Sequence, residues 1–214
     1  MKNKVILFDL DGTLINSDML IIRSYMHLFD TYRPDYKLTL KELISFLGPT
    51  LRDTFPKYFK EDFDVLLKGY RTYFKENIDK YLSLFDGVED MLITFKNQGI
   101  KMGVVTNRYR DSAFEVINQF NLSKYFDVVI TLDEISKEKP SPEGIIKAID
   151  LLKCKSEDVI YVGDNKSDYQ ASRGAKVMCA LVSFPVGRDN SLLKPDILIN
   201  SFEKFKKEII NGKY

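Results

Sequence analysis

The stretch from Val5 to Leu14, VILFDLDGTL, constrains this chain more than any other. Its apolar run, Val5-Ile6-Leu7-Phe8, keeps no polar side for solvent and reads as a strand buried on both faces, the kind found in parallel sheets. The run then breaks into Asp9 and Asp11, and Gly12-Thr13 turns the chain away. An open α/β sheet places its ligand site at the carboxyl ends of such strands. Asp9 and Asp11 alternate with Leu10, so the strand period sends both acids one way and Leu10 back to the core. Two carboxylates so placed repel each other and lose hydration. A bound cation resolves that conflict, and Mg2+ suits carboxylates that leave room for waters and a phosphate. An Asp-Gly turn after an ordinary strand is the competing explanation of this stretch taken alone.

Downstream, residues 16–80 read as helices only. Leu20, Ile21, Met26, Leu28 and Phe29 recur at helical spacing, Thr39 and Glu42 form a capping box, and Thr50 can cap a helix carrying Leu51, Phe55 and Tyr58. A third helix is expected over 61–78, with Phe63, Leu66, Tyr70 and Phe74 along one side. After Tyr81 the pattern alternates: helices near 88–99, 111–120, 142–152 and 168–175 separate strands near 101–106, 128–131, 159–162, 180–182 and 197–199. Such alternation predicts an α/β fold, a doubly wound, Rossmann-like parallel sheet with helices on both faces. The expected organisation is a core of residues 1–15 and 81–214, interrupted by an inserted all-helical cap domain over 16–80.

The charge balance narrows the function. Thirty-two basic and 31 acidic residues leave a net charge of +1, which argues against nucleic acid or a membrane surface as a main partner. The N-terminus enters a strand without the regions of a signal peptide, and no apolar run spans a bilayer, which predicts a cytoplasmic protein. Cys154 and Cys179 have no zinc-type spacing and read as thiols in a reducing compartment. His27, the one histidine, falls within the apolar first helix of the insert and reads as a packing residue, so histidine acid–base chemistry is not expected.

Three further stretches fall at strand ends. GVVT closes with Thr106-Asn107-Arg108, KEKPSPEG sets Lys139 beside a helix start, and VIYV closes with Gly163-Asp164 and then Asp168. In a parallel sheet all of these ends meet on one rim, so a hydroxyl, a lysine and more carboxylates join Asp9 and Asp11. Each alone has an ordinary explanation, as a turn, a solvated lysine or a helix start. Their order on successive strand ends is a far more specific signal.

In these residues the chain resembles the haloacid dehalogenase superfamily of phosphohydrolases, in the subgroup with a helical cap after the first strand. DLDGT at 9–13, Thr106, Lys139 within KPSPE, and GDNKSD at 163–168 match its four motifs in order. FLGPTLRDTF at 46–55 is similar to the cap of phosphoglycolate phosphatases and of a related pyrophosphatase group. Two positions depart from the pattern: Asn16, where Asp is frequent, and Lys176, where Gly commonly follows the last motif's helix.

The resemblance implies a Mg2+-dependent phosphatase acting on a small phosphorylated metabolite through an aspartyl-phosphate. Asp9 would be the nucleophile and Asp11 the general acid and base. Asp9, the backbone carbonyl of Asp11, and Asp164 would hold the metal, with Asp168 behind them. Thr106 and Asn107 would bind phosphate oxygens, and Lys139 would neutralise charge. In the cap, Gly48 permits close backbone approach and Arg52 could pair with a second anionic group on the substrate. That favours phosphoglycolate-type substrates, with pyrophosphate next and a sugar phosphomutase on the same core as a further alternative.

Overall fold

The structure, a computed structural model, describes residues 5–185 and 190–214. The chain divides into two compact units, Met1–Ile15 with Leu84–Tyr214, and Asn16–Ser83. In chain order, β1 (Val5–Phe8) and β2 (Ile15–Asn16) precede α1 (Asp18–Tyr32), α2 (Leu40–Ser45), α3 (Leu51–Tyr58), α4 (Phe63–Glu76) and α5 (Ile78–Tyr81). Then follow β3 (Ser83–Leu84), α6 (Val88–Asn97), β4 (Lys101–Val105), α7 (Arg110–Gln119), β5 (Val128–Ile130) and α8 (Glu143–Leu152). The chain closes with β6 (Val159–Gly163), α9 (Lys166–Ala175), β7 (Met178–Val182), β8 (Ile197–Ile199) and α10 (Phe202–Ile210).

The larger unit is the α/β doubly wound sheet that the alternating pattern predicts. Its strand order is β5-β4-β1-β6-β7-β8, and every pairing is parallel. β1 lies between β4 and β6, with Phe8 opposite both Val104 and Val162. This register brings the ends of the three strands level, so the chain leaves all three at one rim. Val5 and Leu7 face a core built with Ile145, Ala148 and Ile149 of α8 and Ala171 and Ala175 of α9. By strand alternation Ile6 and Phe8 turn to the opposite face, and both are fully buried. There α6 packs on β4 and α10 on β8, and the two helices meet through Phe95 and Phe205, edge to face at 6.2 Å. Gly103 admits no side chain, since a Cβ there would lie 2.6 Å from Val128 and 2.9 Å from Leu7.

The smaller unit holds together through aromatic rings. Tyr25 stacks on Phe46 at 4.3 Å and meets the edges of Tyr70 and Phe55 at 5.3 and 5.9 Å. Offset and edge-on pairs of this kind add to simple area burial because ring faces and edges carry opposite partial charge. Leu66, Tyr70 and Phe74 of the expected stripe are buried. The Thr39–Glu42 capping box is formed in both directions, and Thr50 caps α3 by accepting from the Asp53 N–H at 3.3 Å. His27 stacks on Tyr73 at 4.8 Å, in keeping with a packing role.

Some boundaries differ from expectation for local reasons. α9 begins at Lys166 rather than near Asp168, because the Asn165 side chain accepts from the Ser167 and Asp168 N–H groups at 2.8 and 3.4 Å and caps the helix early. Pro142 is the N-cap of α8 and not its first helical residue. The single helix expected over 61–78 breaks at Asn77, whose side-chain amide donates to the Tyr73 carbonyl at 2.9 Å. Where the chain passes between the units, β2 and β3 pair as a two-stranded sheet, although no strand is expected at Asn16. No helix among the described residues is long and apolar enough to cross a membrane.

Candidate active site

Lys139 sits at the centre of the rim. Its ammonium nitrogen lies 2.7 Å from Oδ1 of Asp9 and donates to Oδ1 of Asp168 at 2.8 Å and to the Tyr161 hydroxyl at 3.1 Å. Three acceptors thus meet three ammonium protons. All four side chains are buried. The backbone of Lys139 is clamped by the Asn107 side chain, whose Oδ1 accepts from the Lys139 N–H at 3.0 Å while its Nδ2 donates to the Lys139 carbonyl at 3.2 Å. The Lys139–Pro140 peptide is cis.

Asp168 accepts four hydrogen bonds. Besides Lys139, its Oδ1 takes the Tyr161 hydroxyl at 3.0 Å, and its Oδ2 takes the N–H groups of Asp164 and Asn165 at 3.1 and 3.2 Å. A carboxylate offers about four lone-pair positions, so those of Asp168 are filled by protein donors. Gly163 is required beside it, since a Cβ there would fall 2.3 Å from the Asp168 Cβ. Asp164 is fully buried, and one of its oxygens accepts from Asn165 Nδ2 at 2.9 Å. One carboxylate oxygen from each of Asp9, Asp164 and Asp168 lies within 4.8 Å of the others.

Three buried carboxylates face one buried ammonium, an excess of negative charge that only a cation or proton relieves. The electrostatics record it. Burial pushes the Asp9 carboxyl up to about 7, with the charge of Asp168 adding to the rise and Lys139 pulling the other way. Burial works to lower Lys139, but the charges of Asp168 and Asp9 overcome it and the net direction is upward. Burial likewise works to raise Asp168, and Lys139 reverses it, holding that acid below the usual carboxylate range. All-oxygen donors with this charge excess fit a hard divalent cation such as Mg2+.

Of the other residues the sequence points to, Thr106 and Asp11 belong to the larger unit. Thr106 is buried at the end of β4, and its hydroxyl accepts from the Arg108 N–H at 3.2 Å, which leaves the hydroxyl's own proton to give. The Asp11 carboxylate is about a quarter exposed (23%) and is gripped by Arg108, whose Nε and Nη2 donate to its two oxygens at 2.5 and 2.8 Å. Gly48 and Arg52 belong to the smaller unit. Gly48 has a φ of +111°, which favours glycine, and the exposed Arg52 lies over the Phe63 ring at 4.9 Å.

Sequence reasoning singled out neither Tyr161 nor Arg108. Within the run VIYV, Tyr161 looks like any strand apolar, yet its hydroxyl also reaches the Val105 carbonyl at 3.3 Å, on a strand two places away. Arg108 did carry a signal, a cation directly after the Thr106-Asn107 strand end.

Residues 6–182 match the family model for haloacid dehalogenase-like hydrolases. The chain is 36% identical over 203 residues to the pyrophosphatase PpaX of Halalkalibacterium halodurans, covering 94% of each. It is 37% identical over 203 residues to the pyrophosphatase PpaX of Bacillus cereus, covering 94% of this chain and 93% of that one. In fold it is similar to CbbY of Rhodobacter sphaeroides in complex with phosphate, with a TM-score of 0.82 at 23% identity over 96% of each chain.

Proposed function

This chain belongs to the haloacid dehalogenase-like hydrolases and is a phosphatase, and from that premise we propose that it hydrolyses inorganic pyrophosphate with Mg2+, through an aspartyl-phosphate on Asp9. The observation that carries the phosphoryl-transfer chemistry is the buried pairing of Asp9 with Lys139 at 2.7 Å. Likeness along nearly the whole chain to proteins named pyrophosphatase moves pyrophosphate ahead of phosphoglycolate, the substrate the sequence favoured.

In this reading Lys139, together with a bound cation, favours the ionised form of Asp9 against the effect of its burial, and leaves the second carboxylate oxygen to attack phosphorus. Asp9 attacks one phosphorus, the bond to the bridging oxygen breaks, and phosphate leaves. Asp11 delivers a proton to that oxygen and later takes one from the water that hydrolyses the acyl-phosphate. The Thr106 hydroxyl and the Asn107 backbone hold the phosphoryl oxygens as charge moves onto them. Mg2+, held by Asp9, Asp164 and the Asp11 carbonyl, would neutralise charge between nucleophile and phosphate. Asp168, its lone pairs engaged, fixes Lys139 and the loop after β6 rather than binding the cation.

The test is phosphate release from pyrophosphate, phosphoglycolate, glucose 1-phosphate and phenyl phosphate, with Mg2+ and with excess chelator. Pyrophosphate is expected to give the highest kcat/KM and chelator to abolish it. Asp9→Asn, which keeps shape but not nucleophilicity, is expected to melt as a folded protein and release no phosphate. A wild-type preference for another substrate overturns the pyrophosphate reading, and turnover by folded Asp9→Asn overturns the covalent route.

A further inference from the structure

Asp11 does not stand alone at the rim. Its carboxylate lies in the fork of Arg108, with Nε and Nη2 on its two oxygens at 2.5 and 2.8 Å, while Nη1 donates to the Ser112 hydroxyl at 2.7 Å. The Arg108 side chain is only 12% exposed, and its backbone N–H is tied to the Thr106 hydroxyl. The guanidinium is therefore anchored at both ends within the larger unit, between the end of β4 and the first turn of α7. A planar fork that fits a carboxylate fits two phosphate oxygens equally well.

Resting on the reading that Asp9 is the nucleophile and Asp11 the proton donor, we propose that Arg108 binds the second anionic group of the substrate, the phosphate that leaves. A group that serves the leaving oxygen must face the leaving side of phosphorus, so the cation paired with Asp11 is on that side too. Asp11 offers the fork one negative charge. A leaving phosphate offers more charge in the same bidentate geometry and draws the guanidinium to itself. The exchange frees the Asp11 carboxylate, which then takes a proton from solvent and turns it to the bridging oxygen, so one substrate group both secures the leaving side and lets Asp11 become the acid. A neutral leaving group cannot make this exchange. Discrimination follows, because with an uncharged leaving group Asp11 reaches the bridging oxygen only by leaving the largely buried Arg108 without an anionic partner.

This moves the reading of the second anion from Arg52 to Arg108. Arg52 is exposed and lies over the Phe63 ring. Arg108 already holds a carboxylate at the rim.

The experiment measures kcat and KM for pyrophosphate and phenyl phosphate in wild type, Arg108→Ala, Arg108→Lys and Arg52→Ala. It also measures calorimetric binding of imidodiphosphate, a non-hydrolysable diphosphate, and of inorganic phosphate, with melting curves to confirm folding. Arg108→Ala is expected to lose about 100-fold in kcat/KM on pyrophosphate and about tenfold or less on phenyl phosphate, with the pyrophosphate loss in both KM and kcat. Arg108→Lys recovers part of the loss, and Arg52→Ala changes the ratio little. Imidodiphosphate binding weakens at least about tenfold in Arg108→Ala, more than phosphate binding does. Equal losses on both substrates, or unchanged imidodiphosphate binding in a folded variant, overturn the assignment. The binding arm decides it even if wild type fails to turn over pyrophosphate, a result that would overturn only the proposed substrate.

Discussion

The Lys139 ammonium and the Asp9 carboxylate form a buried ion pair at 2.7 Å, with no more than a tenth of either side chain exposed (4% and 8%). A buried pair contributes little net stability, because desolvation offsets attraction, but removing one partner strands the other. Here Lys139 also neutralises Asp168, so its loss leaves two buried carboxylates.

Lys139→Ala is therefore expected to destabilise the larger unit by about 3–5 kcal/mol and to abolish turnover. Chemical denaturation of the metal-free protein measures the first and phosphate release the second. A loss under about 1 kcal/mol, the range of surface pairs, would show that the carboxylates are not held by this cation.

Tyr161→Phe removes one acceptor of the Lys139 ammonium and one donor to Asp168 while keeping the ring in the core. Stability should fall by about 1–2 kcal/mol. Because Tyr161 touches the residues that aim Asp9 and not the substrate, kcat should fall about tenfold with KM nearly unchanged. A raised KM at constant kcat would contradict a positioning role.

Asp164 and Asp168 should separate in a magnesium titration. Asp164→Ala is expected to weaken the apparent Mg2+ affinity more than tenfold or so, whereas Asp168→Ala mainly costs stability, by about 3–5 kcal/mol. The four hydrogen bonds that Asp168 accepts are the reason. If Asp168→Ala proved the weaker metal binder and melted normally, the two roles would be reversed.

Lys176 ends α9 in the left-handed region, with φ of +57°. A side chain there costs roughly 1 kcal/mol relative to glycine. Lys176→Gly should raise the melting temperature by a few degrees and leave kcat unchanged. A lower melting temperature would show that the lysine side chain contributes more than its backbone costs.

Much of the fold was legible because its signals are local. VILF, GVV and VIYV are short apolar runs without alternation, as in strands covered on both faces; the first two stop at Asp9 and Thr106, and the third at Gly163 followed by Asp164. Thr39 with Glu42 and Thr50 with Asp53 cap helices through bonds spanning three residues, so spacing alone finds them. At α9 and at Asn77 a local side-chain bond shifts the boundary. Asn165 and Asp168 form a capping box of their own and pull the start of α9 forward.

The sequence by itself determined an alternating α/β core, the carboxylates at the ends of its strands, and Lys139 among them, since each follows from a short window and the rule that parallel strands end together. Only the tertiary structure decided which of these groups bind each other. Asp9 and Lys139 are 130 residues apart, beyond any short window, and their contact depends on β1 and the loop before α8 meeting at one rim. Tyr161 became part of the site because β6 lies beside β1 and within a tyrosine's reach of β4. Arg108 became the partner of Asp11 because β4 borders β1, a strand order that no stretch of either strand encodes. Hydrophobic burial is written residue by residue, whereas an ion pair in a site is set by the distance between side chains, and that distance exists only once the sheet has closed.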